Sequence, residues 1–309
     1  MRRYGIAALL LVAACGVALL SADVRSAVRA LVRPEPPAPI TPLPIAVVPS
    51  RTPTPPPPTA TSTPQRPPTI APVIALPTAT RTPLPTPTPT RGPVEVNGRM
   101  YDAYIPAASK EAQFFQYSCE FDAAWVILET YGIDAPFEAM AAVIGVDDRV
   151  EPYIEETADG FLIHGGNIAD AFSGDYTANF LARSTGNAFR TVFAHYGLEA
   201  TPVRDRAGVE AALRAGALVW MKTTVDFKPW RPATWVTPEG ETFRTVLGND
   251  HAVVVIGFNQ DVVVIRDVLG PTSSNWERPY EYEVDWETFL SRWGAQDYDG
   301  LAVMPPVAE

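Results

Sequence analysis

Cys119 is the one cysteine between Val94 and Glu309; the only other, Cys15, lies in an apolar N-terminal run. A thiol with no partner in its own domain is either inert or kept for nucleophilic attack. Attack needs a base, a group that orients the base, and donors for the oxyanion. Only three histidines are available: His164, His195 and His251. His251 stands directly before the run Ala252-Val-Val-Val-Ile-Gly257, which reads as a strand, so its ring would be held rigidly at a sheet edge. After a polar turn at Asn259-Gln260-Asp261, a second strand, Val262 to Arg266, runs into Asp267. Antiparallel strands joined by a tight turn bring the start of the first beside the end of the second. His251 and Asp267 are therefore predicted to be neighbours, the carboxylate setting the imidazole tautomer. Gln113 and Gln116, six and three residues before Cys119, are both candidates for the side-chain oxyanion donor.

The elements that must position these groups follow from the apolar pattern. Helices are predicted over Cys119 to Tyr131, Phe137 to Ile144, Asn187 to Tyr196 and Arg206 to Ala215, each followed by a glycine at or near its end. Strands follow over Ala217 to Thr223, Ala252 to Phe258 and Val262 to Arg266, then a helix over Asp285 to Trp293 and a strand over Leu301 to Met304. The hairpin strands are apolar almost throughout, as expected of a sheet interior. Helices first and an antiparallel sheet later is an α+β arrangement. Cys119 then lies in a first helical turn, where unpaired amides favour thiolate. Glu120 and Asp122 oppose that by adding negative charge beside the sulfur.

The order of these motifs resembles the papain-like cysteine peptidases, and within them the C39-like branch. The matching residues are Gln113, Cys119-Glu120, Val126-Ile-Leu-Glu-Thr-Tyr-Gly132, His251-Ala-Val-Val-Val-Ile-Gly-Phe258 and Val262-Val-Val-Ile-Arg-Asp267. The resemblance spans Tyr101 to Met304. It implies a papain-like fold, with nucleophile-helix and mainly antiparallel sheet packed together. It also implies hydrolysis by Cys119, His251 and Asp267, with the six-residue spacing favouring Gln113 for the oxyanion. Where relatives often carry Gly-Pro or Ser after the nucleophile, this chain has Phe121 and Asp122. A peptide, a peptidoglycan cross-link and another acyl compound would all suit this chemistry, and the sequence does not choose among them. The alternative is a catalytically silent domain of this fold used for surface binding or adhesion, with Trp220, Trp230, Trp235 and Trp276 lining a cleft.

The remainder of the chain bears on location. Residues 1–22 open with Arg2 and Arg3 and continue uncharged from Ile6 to Leu20, the pattern of a secretory signal or membrane anchor. Val12-Ala13-Ala14-Cys15 also fits a lipidation signal, so an anchor, a lipidated Cys15 and a cleaved signal all stay open. Each places the rest outside the cytoplasm. Residues 23–93 are a different polymer: 22 of the 33 prolines fall between Pro34 and Pro93, which predicts an extended stalk. Up to Pro93 there are 9 basic and 2 acidic residues, a net of +7; from Val94 onward 15 and 33, a net of −18. An acidic domain of residues 94–309 without a basic run argues against nucleic acid and leaves the N-terminal segment as its sole link to a membrane. Metal-ligand spacing, a phosphate-binding glycine loop and a dinucleotide fingerprint are all missing, so no cofactor is expected. A monomer is the expected state.

Overall fold

The computed structural model describes residues 92–272 and 275–306. The N-terminal segment, Cys15 and the stalk as far as residue 91 lie outside them. Among the described residues no helix is long and apolar enough to cross a membrane.

The centre of the fold is a seven-stranded antiparallel sheet. Its strands run Glu281–Asp285, Val262–Arg266, Asp250–Phe258, Leu218–Thr224, Gly300–Val303 and Ala200–Pro202, with Ala103–Tyr104 added beside Asp250–Phe258. Leu218–Thr224 and all but the first residue of Asp250–Phe258 are buried, as expected of strands built around the apolar runs Leu218–Met221 and Ala252–Phe258. The short strand Ala103–Tyr104 fits because Gly257 faces it. A Cβ there would sit 2.9 Å from the Ala103 carbonyl oxygen.

The helices match the apolar periodicity closely: Cys119–Thr130, Phe137–Ile144, Gly186–His195, Arg206–Ala215 and Trp286–Gly294. Asp285 caps the last of these, accepting from the Thr288 amide at 2.8 Å, where sequence had placed it inside the helix. Gly216 ends Arg206–Ala215 with φ 90°, a left-handed residue that glycine adopts without penalty. Phe121, Val126, Ile127 and Leu128 of the first helix join Trp220, Phe189, Phe289 and Trp293 in one apolar core. The α+β expectation therefore holds.

A second, four-stranded sheet was not anticipated. Tyr153–Thr157, Gly160–His164, Pro232–Val236 and Thr242–Val246 pair in that order, with Gly160–His164 parallel to Pro232–Val236. It encloses its own small core around Ile163 and Trp235. The tryptophans considered for a cleft divide cleanly. Trp220 and Trp235 are fully buried and belong to the core, whereas Trp230 and Trp276 are 50% and 76% exposed.

Candidate active site

Cys119 is the first residue of its helix, with Ser118 preceding it. Its backbone amide makes no hydrogen bond among the described residues, so it stays available to an incoming oxyanion. The thiol is buried at 6% exposure and opens on a cavity of about 220 Å³. Gln113, Gln116, His251 and Asp250 line the same cavity.

The hairpin brings His251 and Asp267 together. Val254 pairs with Arg266, which puts Asp267 just past the last paired residue and within reach of the strand's beginning. His251 Nε2 lies 2.9 Å from Asp267 Oδ1, leaving Nδ1 without a hydrogen bond among the described residues. Asp267 is itself held on every side. Its Oδ1 accepts from the Leu269 amide at 2.9 Å, its Oδ2 from the Tyr282 hydroxyl at 2.8 Å, and Arg278 Nη1 lies 3.2 Å from Oδ2. Burial pushes this carboxyl up, but His251, Arg278 and the Leu269 amide outweigh it and bring it to about 2.

That depression has a testable consequence. A carboxyl held below its unfolded value stabilises the fold above the ordinary carboxylate range and loses this contribution as pH falls from about 4 towards 2. The contribution is about 2 kcal/mol. Denaturant unfolding of the wild type should therefore weaken more steeply over that interval than unfolding of Asp267→Asn. Parallel curves for the two proteins would show that His251 and Arg278 do not stabilise the carboxylate.

The two acidic residues near the thiol separate. Glu120 faces the sulfur, and Cys119 Sγ donates to Glu120 Oε2 at 3.1 Å. Asp122 does not: it turns to the preceding loop, accepting from the Phe114 amide at 2.9 Å and the Ser118 hydroxyl at 2.7 Å, and pairing with Lys110 at 2.9 Å. Residues two apart on a helix point about 200° apart, so only one of them can sit by the sulfur. Asp122 thus pins the segment carrying Gln113, rather than competing with thiolate.

Glu120 is in turn bound to a group that sequence reading passed over. Lys222 Nζ is 2.5 Å from Glu120 Oε1 and 2.5 Å from Asp250 Oδ2, all three side chains being buried. Gln296 donates one Nε2 hydrogen bond to Asp250 Oδ1 and another to the Thr223 carbonyl at 2.9 Å. The signal was present: a single lysine inside the apolar strand Leu-Val-Trp-Met-Lys-Thr-Thr needs a buried counter-charge. The net effect on Cys119 is unfavourable to the anion. Burial and then Glu120 push the thiol well above its ordinary value, with Lys222 acting in the opposite direction. No hydrogen bond joins Sγ to His251 among the described residues.

The two glutamines also separate. Gln116 Nε2 donates to the Tyr117 hydroxyl at 3.0 Å, whereas the Gln113 amide makes no hydrogen bond among the described residues and lines the cavity. His164 lies apart in the second sheet, beside Glu155 at 2.7 Å, and His195 ends the helix Gly186–His195, stacked edge-on against Tyr196.

Comparison with known proteins gives one family. A model described as "Peptidase_C39 like family" matches residues 104–300. Among solved structures, a protein from Bacillus anthracis described as a C39-like peptidase is similar at 21% identity and a TM-score of 0.48, covering 64% of this chain and 94% of its own. No curated protein matches the chain.

Proposed function

The chain belongs to the Peptidase_C39 like family, and from that premise we propose that it is a cysteine peptidase-like hydrolase acting through Cys119, His251 and Asp267. The observation that carries the reading is the anchored imidazole. With Nε2 tied to Asp267, His251 has Nδ1 free on the cavity it shares with Cys119.

The chemistry runs on base assistance, because burial and Glu120 disfavour a resting thiolate. Sγ bonds to the substrate carbonyl carbon while its proton passes to His251 Nδ1. The carbonyl oxygen gains the charge and is received by the Cys119 amide and the Gln113 side-chain amide. Collapse of this adduct breaks the C–N bond, and the imidazolium returns its proton to the leaving amine. Water, deprotonated by the same ring, then cleaves the thioester. Asp267 stays ionised and holds the ring.

The substrate class we favour is a peptide or peptidoglycan-like amide. The N-terminal segment, as an apolar anchor or through lipidated Cys15, would hold the domain outside the cytoplasm on its proline-rich stalk. The alternative of a silent binding module draws on one observation, the thiol hydrogen directed to Glu120 rather than to His251.

A peptidyl vinyl sulfone separates the two. It should label Cys119, with the rate falling at least about 100-fold in His251→Ala, the scale expected for loss of a general base. Equal labelling of both proteins, located by peptide mass, would leave the binding module as the better reading.

A further inference from the structure

Two half-exposed aromatic rings, Phe180 and Trp230, take no part in the proposed chemistry, yet the fold brings them together. Gly248 lies between them. A Cβ placed on it would meet the Phe180 ring at 3.5 Å and Trp230 Nε1 at 3.5 Å. Phe180 also lines the cavity of Cys119, beside Ala182 and Asn249. Trp230 in turn lines an open groove of about 510 Å³ with Pro229, Arg231 and Leu247. Apolar surface therefore runs from the thiol cavity past Phe180 and Gly248 to Trp230 and Leu247.

Both rings stand on anchored backbone. The Leu247 amide donates to the Arg231 carbonyl at 2.9 Å, extending the pairing of Pro232 with Val246 and fixing the loop that carries Trp230. The Ala182 amide donates to the Asn179 carbonyl at 2.9 Å, closing the turn that carries Phe180. A preformed surface lowers the ordering cost of binding. Gly248 stands three residues before His251, so the backbone keeps their Cα atoms within about 11 Å. An extended peptide covers that span in about three residues.

Charge narrows what this surface can take. Asp250 is tied to Lys222 and Gln296, and no lysine or arginine among the described residues lines the thiol cavity. The groove holds one cation, Arg231, its guanidinium carbon 5.5 Å from the centre of the Phe161 ring. Free carboxylates on a substrate find little here, whereas an apolar side chain gains by covering the two rings.

We propose that this surface is the specificity groove of the hydrolase and takes an aliphatic or aromatic side chain carried within three residues of the scissile amide. The assignment rests on the hydrolase reading, and it selects an apolar peptide over an acidic cross-link.

A library of octapeptides blocked at both ends tests it in two arms. One is digestion by the full chain, with cut sites read by mass spectrometry. The other is retention on immobilised Cys119→Ala protein, which binds without turning over. At one position near the cut, Leu, Ile and Phe should be enriched at least about 10-fold over Ser and Asp, the scale of burying one such side chain. Retained peptides should show the same preference. Trp230→Ser should reduce the enrichment at least about 5-fold in both arms. Cleavage of peptides with Ser at that position should not change, which a general loss of structure would not spare. Equal use of apolar and acidic residues overturns the assignment, as does an enrichment indifferent to Trp230→Ser, or the absence of both cutting and retention. The hydrolase reading fails separately. Enriched retention without cutting keeps the groove and removes the hydrolase; cutting without enrichment does the reverse.

Discussion

Cys119→Ala should lose peptide or acyl hydrolysis by at least about 10³-fold in kcat, with residual turnover left to the oxyanion donors and binding alone. The size of the effect follows from the absence of a substitute. Cys119 is the sole free cysteine among the described residues, and neither Glu120 nor His251 is placed to form the same covalent intermediate. The variant should still fold. The side chain is 6% exposed and small, so the substitution costs about 1 kcal/mol, the ordinary scale for a point change. Kinetics with any substrate the wild type cleaves, together with a thermal melt, make the check. Unchanged turnover in a folded Cys119→Ala protein would remove the thiol from the mechanism.

The second large effect belongs to stability. Lys222→Met leaves Glu120 and Asp250 buried beside each other with their cation gone, and should cost about 3–5 kcal/mol, the range for breaking one partner out of a buried ion pair. The pH dependence identifies the cause. Without Lys222 the burial that raises Asp250 loses its main counterweight, so this carboxyl moves above its unfolded value in the folded state. Stability is then retained below the ordinary carboxylate range and lost as pH rises through the raised value. Urea unfolding should show Lys222→Met nearest to wild type in acid and furthest from it near neutrality. The thiol gives an independent reading. Lys222 is the group that lowers Cys119, and Glu120, after burial, the group that raises it. Alkylation by iodoacetamide at fixed pH should therefore slow in Lys222→Met and quicken in Glu120→Gln. A constant stability deficit across pH, with equal alkylation in all three proteins, would show that the cluster does not act electrostatically.

These two predictions rest on parts of the site that differed greatly in legibility. The neighbouring of His251 and Asp267 could be read from spacing because the strands that carry them are joined by a short turn. Local connection and antiparallel pairing leave the ends little choice. The helix beginning at Cys119 was equally plain from its apolar run. Glu120 and Asp122 were visible as charges near the sulfur, and helical geometry dictates that they diverge. Which one faces the thiol depends on where Lys222 and the 110–118 loop lie, and neither is local to the helix. Lys222 is 102 residues from Glu120 and 28 from Asp250.

The second sheet was missed for a related reason. Tyr153–Thr157 is largely exposed and carries little apolar pattern, and Gly160–His164 finds its parallel partner in Pro232–Val236, where Phe161 pairs with Ala233, 72 residues on. Such pairings leave no mark in neighbouring residues. The different surroundings of Gln113 and Gln116 likewise appear only in the fold, where the Tyr117 hydroxyl accepts from the Gln116 amide.

The sequence by itself thus determined the helices, the central hairpin, the α+β class, the place of Cys119 at a helix start and the imidazole–carboxylate pair. Periodicity and short connections encode these within a few residues of one another. Only the tertiary structure decided the electrostatics around the thiol: Glu120 inward, Asp122 outward, Lys222 between two carboxylates, and Asp267 braced by Arg278 and Tyr282. Buried charges interact through space at distances of a few ångströms, and residues far apart in the chain meet there only once the sheet has closed.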